Sequence, residues 1–235
     1  MWAPSFAVAL GSGDCIAVIA EVKRASPSKG VIAAALSAGD QAAAFERGGA
    51  AALSVLTEPK RFGGRDSDLA DARSRSQLPI LKKDFHVAPE QLVQARNLGA
   101  SAALIIVRAI EPARLGGLAR IARELELEIL FEIRDEDELQ RAIDAGAEII
   151  GVNNRNLETL EMDRRTVARL VPLIPAHCIA IAESGYSSRH DILEAAAAGA
   201  DAVLIGSALS AANDPAAVLT ALAGIPRRGR LARPT

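Results

Sequence analysis

The chain reads as eight repeats of one pattern: a short apolar run rich in Val and Ile, a polar junction, then an alanine- or leucine-rich amphipathic stretch. The apolar runs cover residues 16–23, 51–57, 79–85, 102–108, 128–133, 148–153, 178–183 and 202–207. Their apolar residues fall on both faces, as they do in strands buried on both sides of a parallel sheet. Helical spacing predicts helices over 40–47, 89–98, 111–125, 136–145, 164–171 and 188–198. Several of these end in Gly-Ala and pass straight into the next strand, at Gly48-Gly49-Ala50, Gly99-Ala100, Gly146-Ala147 and Gly199-Ala200. Glycine there supplies the left-handed residue that turns a helix sharply into a strand. Pro89, Pro112 and Pro215 stand where a first helical turn accepts proline.

Eight alternating units with no break in composition predict one closed (β/α)8 barrel, the TIM-barrel architecture, spanning 1–235 as a single domain. The rival is a doubly wound open sheet, which carries a Gly-rich phosphate loop after its first strand; no such loop follows residues 16–23. Residues 1–15 form a short N-terminal segment, and the basic stretch 226–235 reads as a frayed tail without a function.

Composition narrows the ligand. A formal net charge of -2 gives no broad basic field, and one Trp, one Tyr and five Phe leave little to stack on bases. Nucleic acid is therefore excluded as a partner, and the ligand is small. No apolar run reaches membrane-spanning length. The stretch 6–15 has no basic residue before it and is broken by Gly11, Ser12, Gly13 and Asp14, so it does not read as a signal peptide. Cys15 and Cys178 form no CxxC pair, which argues against a disulfide framework or zinc site and for a reducing, cytoplasmic setting. Cys178 reads as a small buried hydrophobe.

In a barrel of this kind the functional groups come from the carboxyl ends of the strands. Those positions hold Glu21 and Lys23, Lys83 and Asp84, Arg108, Glu132, Asn153 and Arg155, Glu183 and Ser184, and Gly206 and Ser207. A charge turned inward without a partner costs free energy, so these residues are either paired around the mouth or functional. Glu21 and Lys23, two apart, share a face. Ser184-Gly185 and Gly206-Ser207 close the seventh and eighth units, where backbone N–H groups and hydroxyls suit a phosphate. His86, His177 and His190 lack metal spacing, and His86 reads as a loop histidine. Neither an HExxH, a Walker, a GxSxG nor a dinucleotide motif occurs, so the chemistry expected is acid–base work by lysine and carboxylate without metal or cofactor.

The stretch Ile19-Ala20-Glu21-Val22-Lys23-Arg24-Ala25-Ser26-Pro27-Ser28-Lys29-Gly30 resembles the signature of the indole-3-glycerol-phosphate synthases. The resemblance continues through Leu53-Ser54-Val55-Leu56-Thr57, Phe62-Gly63-Gly64 and Leu81-Lys82-Lys83-Asp84-Phe85. It runs on through Phe131-Glu132-Ile133, Gly151-Val152-Asn153-Asn154-Arg155-Asn156-Leu157, Ala182-Glu183-Ser184-Gly185 and Ile205-Gly206-Ser207. It implies a carboxy-lyase of tryptophan biosynthesis. The reaction closes a ring in 1-(2-carboxyphenylamino)-1-deoxyribulose 5-phosphate and releases carbon dioxide and water to leave indole-3-glycerol phosphate.

The same resemblance implies Lys83 as the general acid at the substrate ketone and Lys23 as a second lysine near the substrate carboxylate, able to donate a proton. It implies Glu132 as the base of dehydration, with Glu21 and Asn153 holding substrate and lysines in place. Ser26 and Arg155 match positions near the anthranilate carboxylate, Phe62 and Phe85 match ring-packing positions, and Glu183 falls among the substrate-binding residues. Ser184, Gly185, Gly206 and Ser207 match the phosphate grip. Two lysines in one pocket are expected to depress each other's pKa, with Glu21 and Glu132 acting against that.

Two features depart from the family pattern. The family normally carries a longer segment with extra helices over the barrel mouth, whereas about fifteen residues precede Ile16 here. Residues 2–10, Trp2 included, are expected to supply a fragment of that cover and to leave a more open site that binds substrate more weakly. Tyr186 stands where the family has an aliphatic residue, either narrowing the phosphate loop or lying on the surface. Among rival readings, phosphosugar isomerase barrels use Cys/Asp or Asp/Asp pairs at strand ends, where this chain has Lys and Glu. A non-catalytic phosphate-binding barrel is disfavoured by the joint presence of Lys23, Lys83, Glu132 and Asn153. The partner expected is a small phosphorylated substrate bound by a monomer, with no nucleic acid or membrane. Other tryptophan-pathway enzymes stand as candidate partners.

Overall fold

Strands buried on both faces need two different coverings, one inside a barrel and one outside it. The computed structural model, which describes residues 3–33 and 37–230, supplies both. The strands are β1 (Ala17–Val22), β2 (Ala52–Leu56), β3 (Ile80–Lys83), β4 (Ala102–Ile106), β5 (Glu128–Ile133), β6 (Ile149–Asn153), β7 (Ile179–Glu183) and β8 (Ala202–Ile205). All pair in parallel and close in the order β1-β8-β7-β6-β5-β4-β3-β2, with β2 returning to β1. Each is followed by a helix: α2 (Ala38–Arg47), α3 (Asp66–Arg75), α4 (Pro89–Asn97), α5 (Pro112–Glu124), α6 (Glu136–Asp144), α7 (Arg165–Leu170), α8 (Arg189–Ala198) and α9 (Pro215–Leu222). Pro89, Pro112 and Pro215 open their helices, and Gly49, Gly99, Gly146 and Gly199 are left-handed as the helix ends require.

Side chains alternate across each strand and so sort into two cores. Val18, Val55, Ile105, Ile150 and Val203 face outward onto helix residues such as Phe45, Leu92, Leu118 and Ile192. Ile19, Leu81, Leu104, Leu130, Ile149, Ile181 and Leu204 face inward and fill the barrel. One step further along the strands the inward positions turn polar: Glu21, Ser54, Glu132, Asn153 and Glu183 are all buried there.

The N-terminal segment does not cover the mouth. Helix α1 (Phe6–Gly11) lies at the opposite end, where Phe6 and Leu10, both 0% exposed, join the inward-facing core beneath Ile19 and Ala52. Phe6 and Leu10 lie four apart and so share a helix face, and burying each is worth about 2 kcal/mol. Glu128, at the start of β5, accepts hydrogen bonds from Ser5 Oγ (2.7 Å) and from the N–H groups of Phe6 (2.6 Å) and Ala7 (3.1 Å). Arg227 donates to the carbonyls of Leu10 (2.6 Å) and Gly11 (3.2 Å) at the other end of the helix. An acid at the N-terminus and a cation at the C-terminus both suit the helix dipole. Trp2 lies outside the described residues.

The expected fraying of 226–235 is likewise corrected over 226–230. Pro226 bridges to Cys15, Arg227 N donates to Asp14 O, and Arg230 reaches Asp201 at 2.7 Å as well as the carbonyls of Gly199 and Cys178. The basic residues there satisfy carbonyls and a carboxylate around the barrel bottom. Residues 231–235 lie outside the described residues. Helix α3, which helical spacing does not predict, buries only Asp68, Leu69 and Ala72, too little apolar surface for a clear periodic signal.

Candidate active site

The polar inward layer opens into a cavity of about 1040 Å³ at the carboxyl ends of the strands. Strand register decides which groups meet. Glu21 lies opposite Ser54, Glu132 opposite Gly151, and Asn153 opposite Glu183. Lys83, the last residue of β3, extends across the barrel to Glu132 Oε2 at 3.0 Å and Glu183 Oε2 at 2.7 Å. Lys23 pairs with Glu21 Oε1 at 3.3 Å, and Ser54 Oγ donates to Glu21 Oε2 at 3.2 Å. The Lys23 ammonium also sits 5.5 Å from the centre of the Phe62 ring.

Two glycines make room for this layer. A Cβ at Gly151 would stand 2.0 Å from Glu183 Oε1, and one at Gly206 would stand 2.4 Å from Glu21 Oε1. Gly206 therefore serves the carboxylate beneath it as well as lining the cavity with Ser207.

Three carboxylates, Glu21, Glu132 and Glu183, face two ammonium groups, Lys23 and Lys83, so the cluster carries one surplus negative charge when all are ionised. Both members of the Lys83–Glu183 pair hold protons more tightly than usual, Glu183 chiefly through burial and Lys83 through the surrounding carboxylates. Burial alone pulls the Lys83 ammonium down, but Glu183, Glu132 and Glu21 together hold it above the ordinary lysine value. The expected mutual depression of the two lysines is thus overturned at Lys83, because the carboxylates lie closer. Burial lifts the Glu183 carboxyl to about 7; Lys83 works against the rise, while Glu132 and Glu21 add to it. Glu183 Oε1 is buried without a partner, which is where a proton would reside.

Most of the residues singled out in the sequence come together. Ser26, Phe62, Phe85, Asn153, Arg155, Ser184, Gly185, Gly206 and Ser207 all line the cavity with Lys23, Lys83 and the three glutamates. Asn153 Oδ1 accepts from Arg155 N at 2.9 Å, so it orders the loop after β6. The buried Ser26 hydroxyl accepts from Lys29 N at 3.2 Å. Glu183, expected among the substrate-binding residues, lines the cavity and also touches Lys83 directly.

Arg108 does not join them. It pairs with Glu138 (2.5 Å) and Asp135 (3.2 Å) on the neighbouring α6 end. Asp84 lines the cavity but is held by Thr57 Oγ1 (2.5 Å) and Lys82 Nζ (2.9 Å). His86 lies in the loop after β3 but is buried there, with Nδ1 2.9 Å from Leu104 O, and burial holds its pKa below the ordinary imidazole value. Tyr186 is half-buried at the cavity wall, its hydroxyl 3.3 Å from Asn154 Nδ2. Burial pushes that hydroxyl up to about 12. Sequence reasoning does not single out Ser54, Lys82, Asn154 or Arg164. The first three are buried polar groups inside otherwise apolar or already assigned motifs.

Residues 4–222 match the family model described as Indole-3-glycerol phosphate synthase. The chain belongs to the indole-3-glycerol phosphate synthase family. Its relatives in that family include Indole-3-glycerol phosphate synthase 1 of Streptomyces coelicolor, 51% identical over 208 residues that make up 88% of this chain and 77% of the relative. The synthase of Streptomyces griseus is 48% identical over 215 residues, 92% of this chain and 80% of the relative. Solved structures share the fold alone. A tryptophan synthase alpha-subunit mutant from Pyrococcus furiosus aligns with a TM-score of 0.67 at 16% identity, covering 88% of this chain and 97% of that one. A thiamine phosphate pyrophosphorylase from Pyrococcus furiosus aligns with a TM-score of 0.65 at 14% identity, covering 88% of this chain and 93% of that one. For an indole-3-glycerol phosphate synthase, the lysines and glutamates described above lie in one layer at the barrel mouth, with the serine–glycine turns on the wall beside them. No helix among the described residues is long and apolar enough to cross a membrane.

Proposed function

We propose that the barrel mouth carries out the synthase reaction with Lys83 as the principal acid. The chain is a carboxy-lyase of tryptophan biosynthesis. The reaction converts 1-(2-carboxyphenylamino)-1-deoxyribulose 5-phosphate into indole-3-glycerol phosphate, carbon dioxide and water. In the first step the ring carbon bearing the carboxylate attacks the ketone carbon, and the ketone oxygen takes a proton from Lys83. Stabilising that oxygen by a positioned ammonium lowers the barrier of ring closure. The carboxylate then leaves as carbon dioxide, returning its bonding electrons to the ring. In the last step the new hydroxyl departs as water after protonation, and Glu132 removes the proton whose loss forms the indole double bond.

The observation that carries this reading is the position of Lys83, an ammonium held between Glu132 and Glu183 at the floor of the cavity. Either carboxylate can return a proton to Lys83 between steps. Lys23, beside Phe62 on the wall, suits the substrate carboxylate and a second proton donation. Glu21 and Asn153 orient this machinery, and Ser26, Arg155, Phe62 and Phe85 enclose the aromatic half of the substrate. Ser184, Gly185, Gly206 and Ser207 grip the phosphate. With this reading goes a monomer acting in the cytoplasm on a small phosphorylated substrate; sedimentation of the pure enzyme tests the monomer.

The test of the main reading is indole-type fluorescence from the carboxyphenylamino substrate, with Lys83→Ala compared against the unaltered enzyme. Lys83→Ala should lose cyclisation while substrate binding stays measurable. Near-normal turnover by that variant removes Lys83 from the acid role. No product from the unaltered enzyme at high concentration would favour a phosphate-binding barrel without this activity.

A further inference from the structure

The turn after β7 is held in an unusual shape. Ser184 has φ of 67° and Gly185 has φ of 91°, so two successive residues are left-handed and one of them carries a side chain. Such a shape persists only where the surroundings fix it. Here the fixing groups are visible. Asn154 Nδ2 donates to Ser184 O at 3.1 Å, and Arg164 Nη2 donates to Gly185 O at 2.7 Å.

Asn154 is itself fixed. It is 1% exposed, its Oδ1 accepts from Val167 N in α7 at 3.2 Å, and its backbone N–H donates to Glu183 O at 3.1 Å. These bonds settle which end of the amide faces Ser184. Arg164 is anchored by Asp191 Oδ1 at 2.5 Å, and Asp191 also receives the N–H groups of Ser187 (2.8 Å) and Ser188 (2.9 Å) at the start of α8.

In a planar trans peptide the carbonyl and the following N–H point in opposite directions. Drawing the Ser184 carbonyl inward to buried Asn154 therefore turns the Gly185 N–H toward the cavity, and the Arg164 bond fixes the next peptide in turn. Neither the Gly185 nor the Tyr186 N–H has an acceptor among the described residues, and Ser184, Gly185 and Tyr186 all line the cavity. Successive N–H groups freed in this way form a concave anion nest.

We propose that Asn154 and Arg164 are positioning residues for the phosphate end of the substrate: they hold the Ser184 and Gly185 carbonyls away so that the following N–H groups meet the anion. The proposal rests on the reading of this turn as the phosphate grip.

The experiment measures kcat, KM and the competitive inhibition constant of inorganic phosphate for the full-length enzyme and four variants. Asn154→Ala removes all three bonds of the amide, to Ser184 O, the Tyr186 hydroxyl and Val167 N, whereas Asn154→Asp keeps the acceptor for Val167 and loses the donor to Ser184 and Tyr186. Both should raise KM and the phosphate constant about tenfold while kcat falls less than about threefold. Arg164→Ala should raise both constants about threefold, and Arg164→Lys should recover part of the loss. A merely structural role would lower the amount of active enzyme without moving KM and the phosphate constant together. Should Asn154→Ala fail to fold, Asn154→Asp and the half-exposed Arg164 still decide the matter. If phosphate competes in the unaltered enzyme but Asn154→Asp and Arg164→Ala leave its constant within about twofold, the positioning role is overturned alone. If phosphate does not compete even in the unaltered enzyme, the phosphate grip falls, and the positioning role with it.

Discussion

The same eight strands end in opposite ways at the bottom and at the mouth of the barrel. At the bottom, α1 seals the strands with Phe6 and Leu10, and the charged groups nearby neutralise helix ends or one another: Glu128 and Arg227 on α1, Arg230 with Asp201. At the mouth, three carboxylates and two ammoniums lie together with one carboxylate surplus and a Glu183 oxygen without a partner. The distance between these regimes is short. Along β7 it is the step from Ile181 to Glu183, and along β1 the step from Ile19 to Glu21. A barrel thus separates what holds it together from what reacts, without separate domains, by changing residue type two positions along strands such as β1, β3, β5 and β7.

Substitutions at the two ends should separate just as cleanly. The largest effect belongs to Lys83→Ala, expected to lower kcat at least about a thousandfold, about 4 kcal/mol of transition-state stabilisation. Stopped-flow binding and turnover measured side by side check it, and parallel loss of binding would count against the acid role. Phe6→Ala should do the reverse, costing about 3 kcal/mol of stability with kcat within about threefold of normal. Denaturant unfolding and turnover under folding conditions decide it; a loss of kcat with no loss of stability would break the separation of the two ends.

Next in size is a pH effect at the mouth. The Glu183 carboxyl is raised from its ordinary value of 4.5 to about 7, so on raising the pH the unfolded chain gives up this proton before the folded one does. Its contribution to stability is therefore present below 4.5 and is lost as pH climbs toward 7. Glu183→Gln should flatten the fall in melting temperature across that window. It should also remove a rise in KM above about pH 7, where the ionised carboxylate repels an anionic substrate. An identical pH profile in the variant would locate the titration elsewhere. The smallest effect expected is that of Arg227→Ala, about 1 kcal/mol through the C-terminus of α1, with catalysis untouched.

Much of this contrast is legible in the amino-acid sequence. Apolar runs such as 102–108 and 202–207 announce strands covered on both sides, and the charges at their ends announce the mouth. What is not legible there has physical causes. The family pattern leads residues 2–10 to be expected as a fragment of cover over the mouth, yet α1 lies at the bottom; the spacing of Phe6 and Leu10 is that of one buried helix face and does not say which end of the barrel buries it. Arg108 stands at the end of a run as Lys83 stands near the end of another, yet it meets Glu138 outside the barrel. Its position follows from a short 3-10 turn, Val107–Ala109, that ends β4 early. The Lys83 environment depends on three glutamates from three strands, a sum that no local window contains.

The glycines at 151 and 206 place a condition on how this mouth can change over generations. Each occupies its position only because a carboxylate, Glu183 or Glu21, fills the space a methyl group would need. Substitution of either glycine forces its glutamate to move, whereas loss of the glutamate removes that clash. Once a larger residue has settled there, the glutamate can no longer return to its present position. Descent away from this chemistry would then run in one direction, and pairs of positions on adjacent strands would carry its record.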